Sequence, residues 1–181
     1  MATGRVAAIM GALFLTGAAL KYVFVVPAPE VVAGRLAEGV ETQVILLASP
    51  SCGTCQSAEF VDLMRSLLTT LEHREWGDTA HLSKVFVGLG SVVEEQLALA
   101  HRYGRFDELV LGHGWSNMGA MRYIWQDMPS EGATPNLVVT RRTLAYNEHT
   151  RGIAPTDEVV LARLIGIDEI RRWASNGSPL P

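Results

Sequence analysis

Cys52-Gly53-Thr54-Cys55 holds the only two cysteines of the chain. With no other thiol available, the two are most simply read as a closeable redox pair. The sequence pattern changes at this point. Gln43-Val44-Ile45-Leu46-Leu47-Ala48 is short, apolar and partly β-branched, as a fully buried strand is. Beyond Pro50, the residues Phe60, Leu63, Met64, Leu67, Leu68 and Leu71 recur at helical spacing on one face. The pair therefore belongs to a strand-to-helix junction. Ser51 is an acceptable N-cap, which puts Cys52 at the first exposed position of the helix. There the free N–H groups and the positive dipole end favour a thiolate, the form that attacks a disulfide. Cys55, one turn deeper, is expected to be shielded and to resolve a mixed disulfide by attacking Cys52. Two other uses of the motif stay open: half of a zinc site, or no chemistry at all. Zinc needs two further ligands, and only the scattered His73, His81, His101, His113 and His149 remain. No metal and no cofactor is expected.

A second feature lies eighty residues downstream. Gly132-Ala133-Thr134-Pro135-Asn136-Leu137-Val138-Val139-Thr140 is a turn-forming segment that passes through proline into a β-branched strand. Proline cannot donate to a ladder and suits the first residue of such a strand. From the residues alone, an ordinary trans turn before an edge strand stays open as the alternative reading of Thr134-Pro135. A strand, a CxxC, a helix and a later Thr-Pro opening a strand together resemble the thioredoxin superfamily. The order Ser-Cys-Gly-Thr-Cys, helix, strand, helical insertion, Gly-Ala-Thr-Pro-Asn-Leu-Val-Val is most similar to the periplasmic disulfide oxidoreductases and isomerases of the Dsb type.

The resemblance spans residues 43–173. It implies a cis bond at Thr134–Pro135 packed beside the cysteines, with Thr134 and Pro135 aligning substrate. Ser51, Gly53 and Thr54 would support the pair. Two departures matter. Ser51 stands where thioredoxin itself has a tryptophan, and Leu46 stands six residues before Cys52, where thioredoxins place a buried acid. Both argue against a cytosolic reducing thioredoxin and leave Cys55 without an identified proton acceptor.

The N-terminus is a different kind of sequence. Arg5 precedes an apolar run, Val6 to Leu20, and a second apolar patch, Tyr22 to Val26, follows Lys21. A positive start before an apolar stretch is an export signal. Residues 6–26 approach the length of a membrane span, and Lys21 can snorkel. An uncleaved anchor with Arg5 on the cytoplasmic side is favoured. Gly17-Ala18-Ala19 offers a cleavage site as the alternative, which would release a soluble periplasmic protein. The expected organisation is a signal or anchor (1–26), a tether (27–42), a thioredoxin-like domain (43–175) and a frayed tail (176–181). The tether is too short for the dimerisation domain that isomerase relatives carry. A net charge of −4 and a pI near 5.7 supply no basic stripe of the sort nucleic acid needs.

Within the domain, Lys84–Leu89 reads as a second buried strand. Ser91-Val92-Val93-Glu94 reads as a capping box opening a helix that ends near Gly104. Residues 105–130 read as a mostly helical insertion with Phe106, Leu109, Leu111, Trp115, Met118, Met121, Tyr123 and Trp125 as its apolar set. That stripe is read as core before soft-metal binding by His113, Met118 and Met121. The resemblance implies that the insertion flanks the active-site groove, where exposed apolar residues could hold an unfolded substrate. Asn136–Thr140 and Thr143–Asn147 read as two strands turned at Arg141-Arg142. Thr156 is read as the N-cap of an amphipathic helix stopping at Gly166, with a last short helix over Asp168–Ser175.

The expected fold is α/β, thioredoxin-like, with the insertion between the second core strand and the cis-proline strand and a hydrophobic helix in front. The expected activity is thiol–disulfide exchange on cysteine-containing exported proteins, outside the cytoplasm at the inner membrane, with an upstream redox partner protein. The competing expectation is a membrane-tethered binding module or assembly factor that holds a client or metal without turnover.

Overall fold

Nearly every residue of the first strand is apolar or finds a partner, which suits it to the middle of a sheet. The computed structural model describes residues 38–75, 81–126 and 132–180. In it β1 (Gly39–Ala48) is the central strand of five, in the order β3-β2-β1-β4-β5. β2 (His81–Gly88) and β3 (Glu108–Val110) extend the sheet in parallel on one side. On the other side β4 (Asn136–Asn147) runs antiparallel to both β1 and β5 (Gly152–Ile165).

Parallel neighbours need crossovers, and helices supply them. A one-turn helix α1 (Gly53–Gln56) and α2 (Ala58–Glu72) lie between β1 and β2, and α3 (Val93–Tyr103) lies between β2 and β3. A 3-10 turn at Gly114–Ser116, the short α4 (Met118–Ala120) and a π-helical turn at Met121–Gln126 come before β4. α5 (Gly166–Ser175) closes the fold.

The alternation of β1 divides the core. Val44, Leu46 and Ala48, with Phe86, Leu137 and Val139, meet Phe60, Met64, Leu71, Tyr103, Ile170 and Trp173 on one face. Ile45, Leu47, Val85, Val87 and Val138 meet Ala120, Tyr123 and Ile124 on the other. With both faces covered, β1 has no polar-out positions at its centre. Its one ionised pair is Glu41 with Arg142, which sit directly opposite each other in the β1–β4 register.

Several expectations need correction. Arg141-Arg142 is no turn, because β4 continues straight through it. The reversal comes after Asn147, whose side-chain oxygen accepts the N–H groups of His149 (2.9 Å) and Thr150 (3.2 Å). Residues 156–165 are strand, not helix, and Gly166 opens α5 instead of ending a helix. The N-cap of α3 is Val92, with no side-chain cap bond, so Ser91 makes no capping box. The insertion is only partly helical, since it contributes the edge strand β3. Met118 is 84% exposed, and Met121, Trp115 and Trp125 are also on the surface rather than in the core.

The tail is not frayed over its described residues. Ser178 N–H bonds the Trp173 carbonyl (2.9 Å), Trp173 Nε1–H bonds the Pro179 carbonyl (2.9 Å), and Arg74 donates to the carbonyls of Gly177 and Ser178. The expected anchor and most of the tether lie outside the described residues, although Gly39–Thr42 of that tether belong to β1. Among the described residues no helix is long and apolar enough to cross a membrane.

One buried cation sets a pH response. Lys84, 7% exposed on β2, is paired with Glu72 at the end of α2. The hydrogen bond from Lys84 holds the Glu72 carboxyl below its ordinary 4.5. A depressed folded pKa stabilises the fold above the unfolded value, and that contribution is lost as pH falls through the folded one. Urea unfolding of wild type and Glu72→Gln should therefore differ near neutrality by no more than about 1 kcal/mol, because Glu72 is half exposed. The two should converge below pH 4.5. A difference that stays the same from neutral to acid pH would show the pair contributes nothing through ionisation.

Candidate active site

The end of β1 delivers the cysteines. Ala48 still belongs to the ladder, and Leu89 N–H bonds its carbonyl at 2.9 Å. The chain then turns: Cys52 N–H bonds the Ser49 carbonyl at 3.1 Å, and the Ser49 and Ser51 hydroxyls lie 2.8 Å apart. Ser51 is thus a turn residue, not the N-cap it was read to be. The cap is Cys52 itself, whose sulfur accepts the Cys55 N–H at 3.1 Å. A one-turn helix has little dipole, so this single directed N–H replaces the helix-end field as the group that favours a thiolate at Cys52.

Cys52 and Cys55 are joined as a disulfide. Cys52 is half-buried and Cys55 is fully buried among core residues, while Gly53 and Thr54 between them face solvent. An attacking thiol from outside therefore reaches Cys52 alone.

The second predicted element comes to the same place. The Thr134–Pro135 bond is cis, and the Thr134 carbonyl oxygen lies 3.5 Å from Cys52 Sγ. Pro135 is buried, and its carbonyl accepts the Gly166 N–H at 2.8 Å, which ties the start of β4 to the start of α5. Glycine is needed at position 166, where φ is +82°. Upstream, Gly132 lies against Trp125 and Trp115, whose rings pack 6.1 Å apart. An exposed aromatic pair thus flanks the loop that meets the cysteines.

Sequence reasoning missed the residues beneath the pair. Helix α1 ends at Gln56 because Ser57 is extended (ψ 143°) and its hydroxyl accepts the Phe60 N–H at 3.2 Å to start α2. Tyr103 O–H donates to the Cys55 carbonyl at 2.6 Å, and Arg102 donates to the Gln56 carbonyl at 2.7 Å. Burial pushes the Tyr103 phenol up, so it remains a donor at physiological pH. Gln96, fully buried on α3, donates to the Gly90 carbonyl (2.8 Å) and accepts the Gly112 N–H (2.9 Å), fixing two loops at this end of the sheet. The only signal for these residues in the sequence was the helical face Gln96, Leu99, Ala100, Tyr103, and that reads as core.

A cleft of about 410 Å³ is bounded by Pro50, Gln56, Glu95, Ala98, Leu99 and Arg102, and neither cysteine lines it. A larger cavity of about 920 Å³ lies against Gln43, Val85, Tyr123 and Arg142, and neither cysteine lines it. Among the described residues no three His, Cys, Asp or Glu side chains gather as a metal site.

A mixed α/β sheet with a CxxC disulfide at a strand–helix junction is compatible with a thioredoxin-like fold. No protein-family model matches the chain, and no curated protein or solved structure is significantly similar to it.

Proposed function

We propose that this chain is a thiol–disulfide oxidoreductase of the thioredoxin superfamily, acting on cysteine-containing exported proteins. The observation that carries this reading is the asymmetry of the pair: an accessible Cys52 holding an N–H on its sulfur, bonded to a Cys55 that no substrate can reach. In the oxidising direction a substrate thiolate attacks Cys52 Sγ. The Cys52–Cys55 bond breaks, and its electron pair leaves on Cys55, which takes a proton. A second substrate thiolate then attacks the substrate sulfur of the mixed disulfide, and Cys52 departs as a thiolate stabilised by the Cys55 N–H. The substrate is oxidised by two electrons and the pair is reduced by two. An upstream redox protein restores the disulfide by the same exchange.

The Thr134 carbonyl, at hydrogen-bond range of Cys52 Sγ, would align the extended substrate segment. Trp115 and Trp125 would meet its apolar side chains. Residues 6–26 would hold the domain on the outer side of the inner membrane.

Equilibration with glutathione at defined ratios tests this reading. A reversible two-electron transition is expected, and its midpoint orders oxidant against reductant. A pair that does not exchange would exclude the enzyme. Fractionation with N-terminal sequencing tests the location: a soluble cytoplasmic chain with Met1 intact excludes export, and a soluble exported chain starting near Leu20 excludes the anchor.

A further inference from the structure

We propose that the C-terminal end of α3 is a clamp on the CxxC turn, in which Tyr103 and Arg102 are positioning residues that tune the acidity of Cys52 and the oxidising strength of the pair. The clamp rests on the redox reading above.

In an unbroken helix the Cys55 carbonyl would accept from the N–H of residue 59, and the Gln56 carbonyl from that of residue 60. The break at Ser57 takes the chain out of that register: Ser57 is extended and caps a new helix, and the Phe60 N–H goes to the Ser57 hydroxyl instead of the Gln56 carbonyl. Two carbonyls are left without helical partners directly under the active cysteines, and Cys55 is fully buried, so solvent does not serve it. Consecutive residues of α3 fill both positions: Tyr103 O–H at 2.6 Å and Arg102 Nη2–H at 2.7 Å. The Tyr103 donor is not free to wander, and the backbone that carries Arg102 is anchored. The Tyr103 ring is packed edge-on against Phe60 (5.6 Å between centroids) and tilted against Phe86 (6.1 Å). The Arg102 carbonyl is held by Arg65 Nε at 2.7 Å.

The link to Cys52 runs through one peptide unit. The C=O of the Cys55–Gln56 peptide is on Tyr103, and its N–H is on the Cys52 carbonyl at 3.1 Å. With that plane pinned at both ends, the backbone of Cys55 is fixed and its own N–H stays 3.1 Å from Cys52 Sγ. A hydrogen bond to an anion is about twice as strong as one to a neutral acceptor. The N–H therefore favours the Cys52 thiolate over the disulfide, and the clamp favours the reduced form. Of the charged groups around the turn, Arg102 of α3 adds positive charge beside it and Glu95 of α3 lines the adjoining cleft. On α2, Arg65 reaches Arg102 and Glu59 is occupied by Arg171 of α5.

The test uses the full chain as wild type, Tyr103→Phe and Arg102→Ala. Two readouts are taken. The first is the pH titration of the Cys52 thiolate in the reduced protein by ultraviolet absorbance. The second is the equilibrium protein dithiol + glutathione disulfide ⇌ protein disulfide + two glutathione. Tyr103→Phe should raise the Cys52 pKa and move the equilibrium about three- to tenfold toward the protein disulfide, up to about 30 mV for this two-electron couple. Arg102→Ala should shift both in the same direction. Because Arg102 is only partly buried, this variant carries the test if Tyr103→Phe does not fold. Folded variants with an unchanged titration and equilibrium overturn the clamp while the redox reading stands. A wild type that never exchanges with glutathione overturns the redox reading, and the titration alone then decides the clamp.

Discussion

Replacing Cys52 with serine is expected to abolish exchange, and replacing Cys55 with serine to give a protein that captures substrate and does not release it. The two outcomes differ because the two sulfurs stand in different places. Cys52 is the half-buried residue, with its sulfur next to the Thr134 carbonyl and on the Cys55 N–H, so a mixed disulfide is expected to form there. A serine hydroxyl is not ionised at neutral pH and forms no disulfide, so turnover of a peptide disulfide should fall about a thousandfold or more. Cys55 is fully buried and acts only on what Cys52 already holds. Without it the covalent intermediate persists, visible as a higher band on non-reducing electrophoresis that collapses with reductant. Alkylation of the reduced wild type should label Cys52 first. Turnover retained in Cys52→Ser, or first labelling at Cys55, would reverse the assigned roles.

The placement of the pair was legible because it depends on local pattern. A buried strand followed by a helix-period segment places Cys52-Gly53-Thr54-Cys55 at a junction in any α/β fold, and Phe60 to Leu71 show their face by spacing alone. What was not legible depended on pairing. β5 was read as a helix because Val159, Val160, Leu164 and Ile165 recur at near-helical intervals. The cause lies in its register with β4, which shifts between Val139 and Thr140 and again between Arg141 and Thr143. Each shift puts an extra residue on β5 and breaks the two-residue alternation that marks a strand. Asp157, at φ +51°, sits in the second irregularity. Arg141-Arg142 reads as a turn because two charged residues interrupt the strand-like runs Asn136–Thr140 and Thr143–Asn147. Here Arg142 is matched across the ladder by Glu41, a partner 101 positions away. The break between α1 and α2 was hidden for a related reason: Ser57 makes an ordinary cap locally, while the carbonyls it strands are satisfied by α3.

Installing a carboxyl by Leu46→Asp should destabilise the domain by about 3–5 kcal/mol at neutral pH, combining lost packing with a buried group that has no partner. Leu46 is fully buried and opposes Phe86 and Leu137 in the flanking strands. It shares its cluster with the apolar Phe60, Met64 and Tyr103 and with Cys55. This is also the position at which thioredoxins, by resemblance, keep an acid. Here the surroundings are built for a hydrocarbon.

Desolvation should raise the pKa of the introduced carboxyl in the folded state above its unfolded value of about 3.9. The sign follows from linkage: a raised folded pKa makes the variant least impaired below about pH 4, and its deficit grows as pH rises toward the folded pKa. Urea unfolding across that range, with wild type and Leu46→Asn in parallel, reads the effect. The neutral amide should cost stability without the pH slope. A variant as stable as wild type at neutral pH, or one whose deficit shrinks as pH rises, would show that the packing around Leu46 accommodates charge. That result would make Leu46 a replaceable filler, not part of what closes the site to water.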